Sequence, residues 1–257
     1  MEINNNITSI LQKSLTASSK EIDASIALIA VGKQTNAIED SAKMISSELM
    51  ESEHAESQRA MENVQSGINL LQVADSGLSS ISDSIQKIKD LALQRQNGTF
   101  NDDDKAAIDK QIGSLKDEIN RVATTTMFNS VNLFDDNAKI TINAGDSNID
   151  LSSALSSTTT GSIGLDDDPL TLDQIDNALS HISSRRSQIG ALSNGLDSTI
   201  NSLQVKSHNL EAAQSTLVDT NIASETSTLT QNMSLQNIST SLLAQANQTP
   251  AQALSLI

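Results

Sequence analysis

Every seventh residue from position 175 is aliphatic: Ile175, Ile182, Ile189, Leu196, Leu203, Leu210 and Leu217, with no polar interruption. A seam kept at that spacing predicts a long helix that supercoils against partner helices. Its start is marked. DDDPL at 166–170 halts what precedes, and Thr171 with Gln174 fits a capping box, in which each side chain bonds the other residue's backbone N–H. The N-terminal half answers with Val64, Ile68, Leu71, Leu78, Ile81, Ile85, Ile88 and Leu91, mostly at steps of three and four. QNGTFNDDDK at 96–105 breaks this second helix, because Asn97-Gly98 is a turn signal and Asn101 to Asp104 supply a cap and first-turn acids. A third helix then carries Ile108, Ile112, Leu115, Ile119 and Val122.

Between 131 and 165 the period changes. KITINAGDSNIDLSSAL alternates Ile140 and Ile142, then Ile149 and Leu151, around AGDSN, which predicts a β-hairpin, and SSTTTGSIG at 156–164 reads as a short polar loop. The two chain ends are alike in kind. Residues 3–29 set Ile3, Ile7, Ile10, Leu15, Ile22, Ile26 and Ile29 on one stripe, and residues 217–257 do the same with Leu229, Met233, Ile238, Leu242, Leu243, Leu254, Leu256 and Ile257. Each predicts an amphipathic helix with Ser, Asn and Gln on its other side, and neither stripe is wide enough to stand alone. Pro250 is expected to kink or end the last helix. The fold class that follows is all-α dominated, a long-helix coiled-coil bundle with a small β-hairpin.

Composition narrows the possible work. Aromatic residues are 1% of the chain, only Phe100, Phe128 and Phe134, so a thick globular interior lacks its usual largest contributors. A formal charge of −16 disfavours nucleic acid and anionic membrane surfaces, where Lys and Arg supply the attraction. Zero cysteines remove disulfides and thiolate chemistry. MEINNNITSILQKSL has neither the basic start nor the apolar run of a signal peptide, and no segment reaches the roughly 20 apolar residues that span a bilayer.

A search for catalytic or metal chemistry returns little. His54, His181 and His208 lie far apart without an H-x-x-x-H pair, and the acidic runs 102–104 and 166–168 lack the alternating ligands of a calcium loop and read as helix starts. No P-loop, G-x-S-x-G or G-x-G-x-x-G is present, so neither an enzyme nor a cofactor is expected. Arg186 borders the seam between Ile182 and Ile189, where it is placed to bridge to acids of a partner helix.

At VQSGINLLQVADSGLSSISDSIQKIKDLALQRQNGTFNDDDKAAIDKQIGSLKDEINRVATTTMFNSVNLFDD, 64–136, the chain resembles bacterial flagellin, and DPLTLDQIDNALSHISSRRSQIGALSNGLDSTINSLQ onward, ending in LLAQANQTPAQALSLI, is similar to that family's C-terminal signature. The resemblance implies a protomer whose N- and C-terminal helices pair into a filament core. It divides the chain into inner-core helices at 1–40 and 218–257, an outer-core bundle at 41–136 and 170–217, and a hairpin with a short variable loop at 137–169. The implied subunit interface comprises Ile3, Ile7, Ile10, Leu15, Ile22, Ile26, Leu229, Met233, Ile238, Leu242, Leu243, Leu254, Leu256 and Ile257. Residues 1–40 and 218–257 are expected to be disordered in the free monomer and to fold on assembly.

The implied partners are further copies of the chain, a flagellar export chaperone and a filament cap. The implied location is the extracellular flagellum, reached by the flagellar type III route without a cleaved signal peptide. Flagellins are also sensed by a Toll-like receptor; at the matching positions this chain has Lys87, Leu91 and Gln111 with Gln94 beside them, and exchange of a guanidinium and a carboxylate for an ammonium and an amide implies weak binding. Departures from the family fall in AVGKQTNAIEDSAKM, which keeps Gly32, Asn36 and Asp40 but lacks the Arg and Ala-Ala-Gly, and in AQSTLVDTNIASET, which lacks an Arg and a Tyr. Those in residues 1–60 favour one alternative, a relative secreted without building the main filament; a second, a hook–filament junction protein, is disfavoured by the LAQANQ ending, and an unrelated coiled-coil scaffold would share the heptads but not the motifs.

Overall fold

The computed structural model describes residues 2–33, 41–135, 139–156, 158–167 and 169–254. Its helices are α1 (Glu2–Val31), α2 (Ser41–Arg95), α3 (Asp102–Thr125), α4 (Leu172–Val218) and α5 (Ile222–Leu254). Two small antiparallel pairs join them: β1 (Met127–Phe128) with β2 (Val131–Asn132), and β3 (Thr141–Asn143) with β4 (Asn148–Asp150). The chain forms two compact units, a terminal one of residues 1–52 and 210–257 and a central one of residues 53–209. No described helix is long and apolar enough to cross a membrane.

The central unit holds the hydrophobic core. From α2 come Leu71, Leu78, Ile81, Ile85 and Ile88, from α3 Ile119, and from α4 Ile175 and Ile182, all essentially fully buried. These are the positions that the three-and-four spacing and the heptad seam predict. Burial along that seam continues through Ile189 and Leu196, and then Leu203, Leu210 and Leu217 are only half-buried. Helix starts are capped as expected. Thr171 N–H donates to Gln174 Oε1 at 2.9 Å while Gln174 N–H donates to Thr171 Oγ1 at 3.3 Å, and Asn101 with Asp104 makes the same reciprocal pair at α3.

Both hairpins are set by local chemistry. Ile142 faces Ile149 across β3 and β4, the register that the alternation predicts. Between β1 and β2, Asn129 and Ser130 both take positive φ, 49° and 65°, which is the two-residue primed turn that matches strand twist. Two glycines of α2 make room for neighbours. A Cβ on Gly67 would lie 1.8 Å from Ile142 Cδ1, and one on Gly77 would lie 2.9 Å from Thr126 Oγ1 and 3.0 Å from Phe134 Cε2. Without side chains there, the hairpin and the β2 end pack directly on the helix.

The segment expected to be a polar loop is instead part of the interior. Thr158, Thr160, Ile163 and Leu165 are buried, and Leu151 and Leu155 lie in the same core. Its polarity is absorbed by α3: Asn120 Oδ1 accepts from Thr160 N–H at 3.0 Å, and Asn120 Nδ2 donates to Thr160 Oγ1 at 3.2 Å. Bonding of this kind makes the burial of Thr160 tolerable, whereas the buried Thr158 Oγ1 has no partner among the described residues. Ion pairs border the core, Arg186 with Asp75 and Lys89 with Asp176 tying α4 to α2, and Arg95 with Asp109 tying α2 to α3.

Candidate assembly interface

The terminal unit is built on the antiparallel pair of α1 and α5. Helix α1 stops at Gly32, which takes φ +71° and donates its N–H to Leu28 O at 2.8 Å, the left-handed cap for which glycine carries no steric cost. The chain beyond is tied across the pair, because Gly32 O accepts from Thr220 N–H at 3.0 Å and Lys33 bridges to Asp219. Asn221 then caps α5, accepting from Ser224 N–H at 3.2 Å. So the open end of the pair is closed by backbone bonds at a fixed register.

Between the helices the seam is polar. Ser18 Oγ donates to Asn232 O at 2.7 Å and Ser25 Oγ donates to Glu225 Oε1 at 2.6 Å. Going up one heptad in α1 goes down one in α5, which is antiparallel pairing, and Ser239 extends the series 225, 232, 239. Ser18, Ser25 and Ser239 are buried, as is Ser47 of α2, whose Oγ accepts from Gln214 Nε2 at 3.3 Å. Among the described residues of this unit these serines are the buried side chains, and every aliphatic residue is at least partly open.

The residues expected at a subunit interface therefore lie mainly on open faces. Ile7, Ile10 and Ile26 of α1 and Met233, Ile238 and Leu242 of α5 are exposed, from 46% at Ile7 to 61% at Ile10. Leu15, Ile22, Leu229 and Leu243 are half-buried along the flanks of the serine seam. Ile3 and Leu254 belong to the helices, but their side chains lie outside the described residues, as do Leu256 and Ile257 altogether. Val31, Ile222 and Leu235 add to the exposed set, and so do Met44, Ile45 and Leu49 at the start of α2, none of which was marked from sequence. The periodicity pointed to a stripe but not to its division, since both serine and aliphatic positions recur near heptad spacing.

Helix α5 does not end at Pro250, one of the two outcomes expected there, since its helical backbone continues to Leu254. Its polar face is organised as well. Thr226, Thr228, Thr230, Ser234 and Thr240 donate their hydroxyls to carbonyls four residues back, at 2.5 to 3.2 Å.

Elsewhere the candidate recognition positions are placed by the central unit. Lys87 and Gln94 on α2 and Gln111 on α3 are exposed, and Leu91 is half-buried against the core. Electrostatic perturbation is local. The Asp75 carboxylate, bonded to Arg186 Nε at 2.8 Å and Nη2 at 3.2 Å, raises the guanidinium pKa. The Ser152 backbone N–H, at 2.8 Å, holds the Asp150 carboxyl below its ordinary value, and Arg121 does the same for Glu118. Of these pairs Arg186–Asp75 links α4 to α2, Glu118–Arg121 lies within α3 and Asp150–Ser152 lies at the end of β4, so each is a structural contact of the fold.

Comparison with known proteins bears on what these faces are for. Residues 3–139 match the bacterial flagellin N-terminal helical region and residues 172–257 the bacterial flagellin C-terminal helical region. The chain is 32% identical to a flagellin of Listeria monocytogenes over 285 residues, covering 100% of this chain and 99% of the relative. It is 29% identical over 285 residues to the flagellar filament 33 kDa core protein of Treponema phagedenis, with 100% of each chain covered. A solved structure from Vibrio parahaemolyticus, described as flagellar hook-associated, is similar in fold with a TM-score of 0.59 at 15% identity, over 70% of this chain and 99% of that one.

Proposed function

The chain belongs to the bacterial flagellin family, and from that membership we propose that its terminal unit is the surface by which copies join one another. The protein is a structural subunit of the extracellular flagellar filament. What supports a division of labour is a single observation: among the described residues of the terminal unit the buried positions are serines, while the aliphatic side chains stay at least partly open. A polar seam fixes register but supplies little hydrophobic driving force, since the apolar area it removes from water is small. Covering the half-open side chains by neighbouring copies would contribute about 1 kcal/mol each, half the value of a full aliphatic burial.

It follows that α1 and α5 are the conformation of the assembled subunit, and that in the free monomer they order poorly. Circular dichroism through polymerisation should show helix content rising, and an unchanged spectrum would sink this reading. Purified protein taken through depolymerisation and reassembly should form filaments under the electron microscope. Protein that stays monomeric through that cycle would point to a relative secreted without building the main filament.

The same open faces need cover before assembly. An export chaperone bound to α5 would mask Met233, Ile238 and Leu242, and a filament cap would receive subunits as they emerge from a type III channel. Co-purification of α5 variants with the chaperone tests the first. Binding to the innate receptor is expected to be weak, because Lys87 and Gln111 offer an ammonium and an amide where planar charged pairs bind best. Full potency in a receptor reporter assay would overturn that expectation.

A further inference from the structure

The chain contains two Asn-Gly steps, and the fold treats them differently. Asn194-Gly195 lies within α4, where the Gly195 peptide N–H belongs to the helical ladder and its carbonyl accepts from Thr199 Oγ1 at 2.9 Å. Asn97-Gly98 lies in the turn between α2 and α3, and both residues are exposed. Gly98 does not take positive φ, and a Cβ there would meet nothing within 4 Å, so neither backbone strain nor crowding requires a glycine. Among the described residues its peptide N–H has no acceptor. The Asn97 carboxamide is held by its oxygen, which accepts from Thr99 N–H at 3.2 Å and Thr99 Oγ1 at 3.1 Å. Two donors on that oxygen polarise the carbonyl and leave its carbon open to attack, while Asn97 N–H is engaged with Gln94 O at 3.0 Å and steadies the turn.

We propose that Asn97 is a site of spontaneous deamidation, with Gly98 as the internal nucleophile. Solvent base takes the Gly98 N–H proton, the nitrogen bonds to Asn97 Cγ, and the Cγ–Nδ2 bond breaks as the amide nitrogen gains a proton from water and leaves as ammonia. The resulting five-membered imide takes up one water, opening at either carbonyl to give aspartate or isoaspartate at position 97. The net change is one water consumed and one ammonia released, with no oxidant or cofactor. The product adds a negative charge to a turn already followed by Asp102, Asp103 and Asp104, and the isoaspartate form lengthens the main chain just before the Asn101 cap. The modification does not depend on the assembly reading, and it marks the age of each subunit.

The test is peptide mapping by mass spectrometry of the full-length protein, incubated at mildly alkaline pH and followed at both sites. Conversion at Asn97 should exceed that at Asn194 by about tenfold or more while α4 keeps its ladder. In concentrated urea the two rates should converge. Gly98→Ala, which the open space around Gly98 accommodates, should slow conversion at 97 with an unchanged circular dichroism spectrum. Equal rates at both sites in the folded protein, the same ratio persisting in urea, or no slowing by Gly98→Ala would each overturn the proposal.

Discussion

The two units of this chain share the helices α2 and α4 and bury opposite chemistry. In the central unit α2, α3 and α4 close over Leu78, Ile81, Ile85, Ile119 and Ile182, each at 0% exposure, and Thr160, which enters with them, is bonded by Asn120. In the terminal unit the inner positions are Ser18, Ser25 and Ser239 while Ile10 stands 61% open. Continuity of a helix is thus no guide to where its stability comes from. The central unit is a finished interior and the terminal unit half of one.

Substitutions of equal chemistry should separate the two. Ile81→Ala, at a fully buried core position, should cost roughly 2 to 5 kcal/mol in urea unfolding of the monomer, through lost transfer energy and the cavity left behind. Gly67→Ala should cost about 1 to 3 kcal/mol, because the new methyl drives Ile142 and its hairpin off α2. Ile26→Ala should change monomer unfolding by less than about 0.5 kcal/mol yet raise the critical concentration for filament growth, measured by light scattering. A loss of monomer stability at Ile26 equal to that at Ile81 would erase the distinction.

Smaller effects sharpen it. Ser25→Ala removes the donor to Glu225, and the loss of about 1 kcal/mol should register in assembled filaments more than in the monomer. The mildest effect is one of pH. The Asp150 carboxyl, lowered chiefly by the Ser152 N–H, stabilises the folded hairpin at pH above its unfolded value, and that contribution is lost as pH falls through the folded value. Asp150→Asn should therefore flatten the acid limb of central-unit stability, and unfolding curves of the two proteins between neutral and acid pH give the measure.

Much of the central unit was legible in sequence because there one chemical rule decides each position. The seam from Ile175 to Leu196, the Thr171–Gln174 cap and the Ile142–Ile149 register all follow from period and capping. The buried Thr160 was not legible, since only the distant Asn120 makes its burial tolerable, and neither was Thr158, whose buried hydroxyl has no partner among the described residues. Nor was the serine seam, because a serine in a helix reads as surface until a partner such as Glu225, 200 positions away, takes its hydroxyl. The turn at Asn129-Ser130 had a signal in its two residues but no flanking alternation long enough to carry it. For the open aliphatics sequence gave the stripe, and only packing divides it between seam and free face.

The hydroxyls of α5 that fold back on their own helix have a consequence for how such a face loses its water. With Thr226, Thr230, Ser234 and Thr240 already bonded to carbonyls one turn below, each of these hydroxyls keeps its only proton inward. A neighbour can settle over these hydroxyls without stranding their donors, so at these positions a face that is polar in composition gives up its water without an answering acceptor.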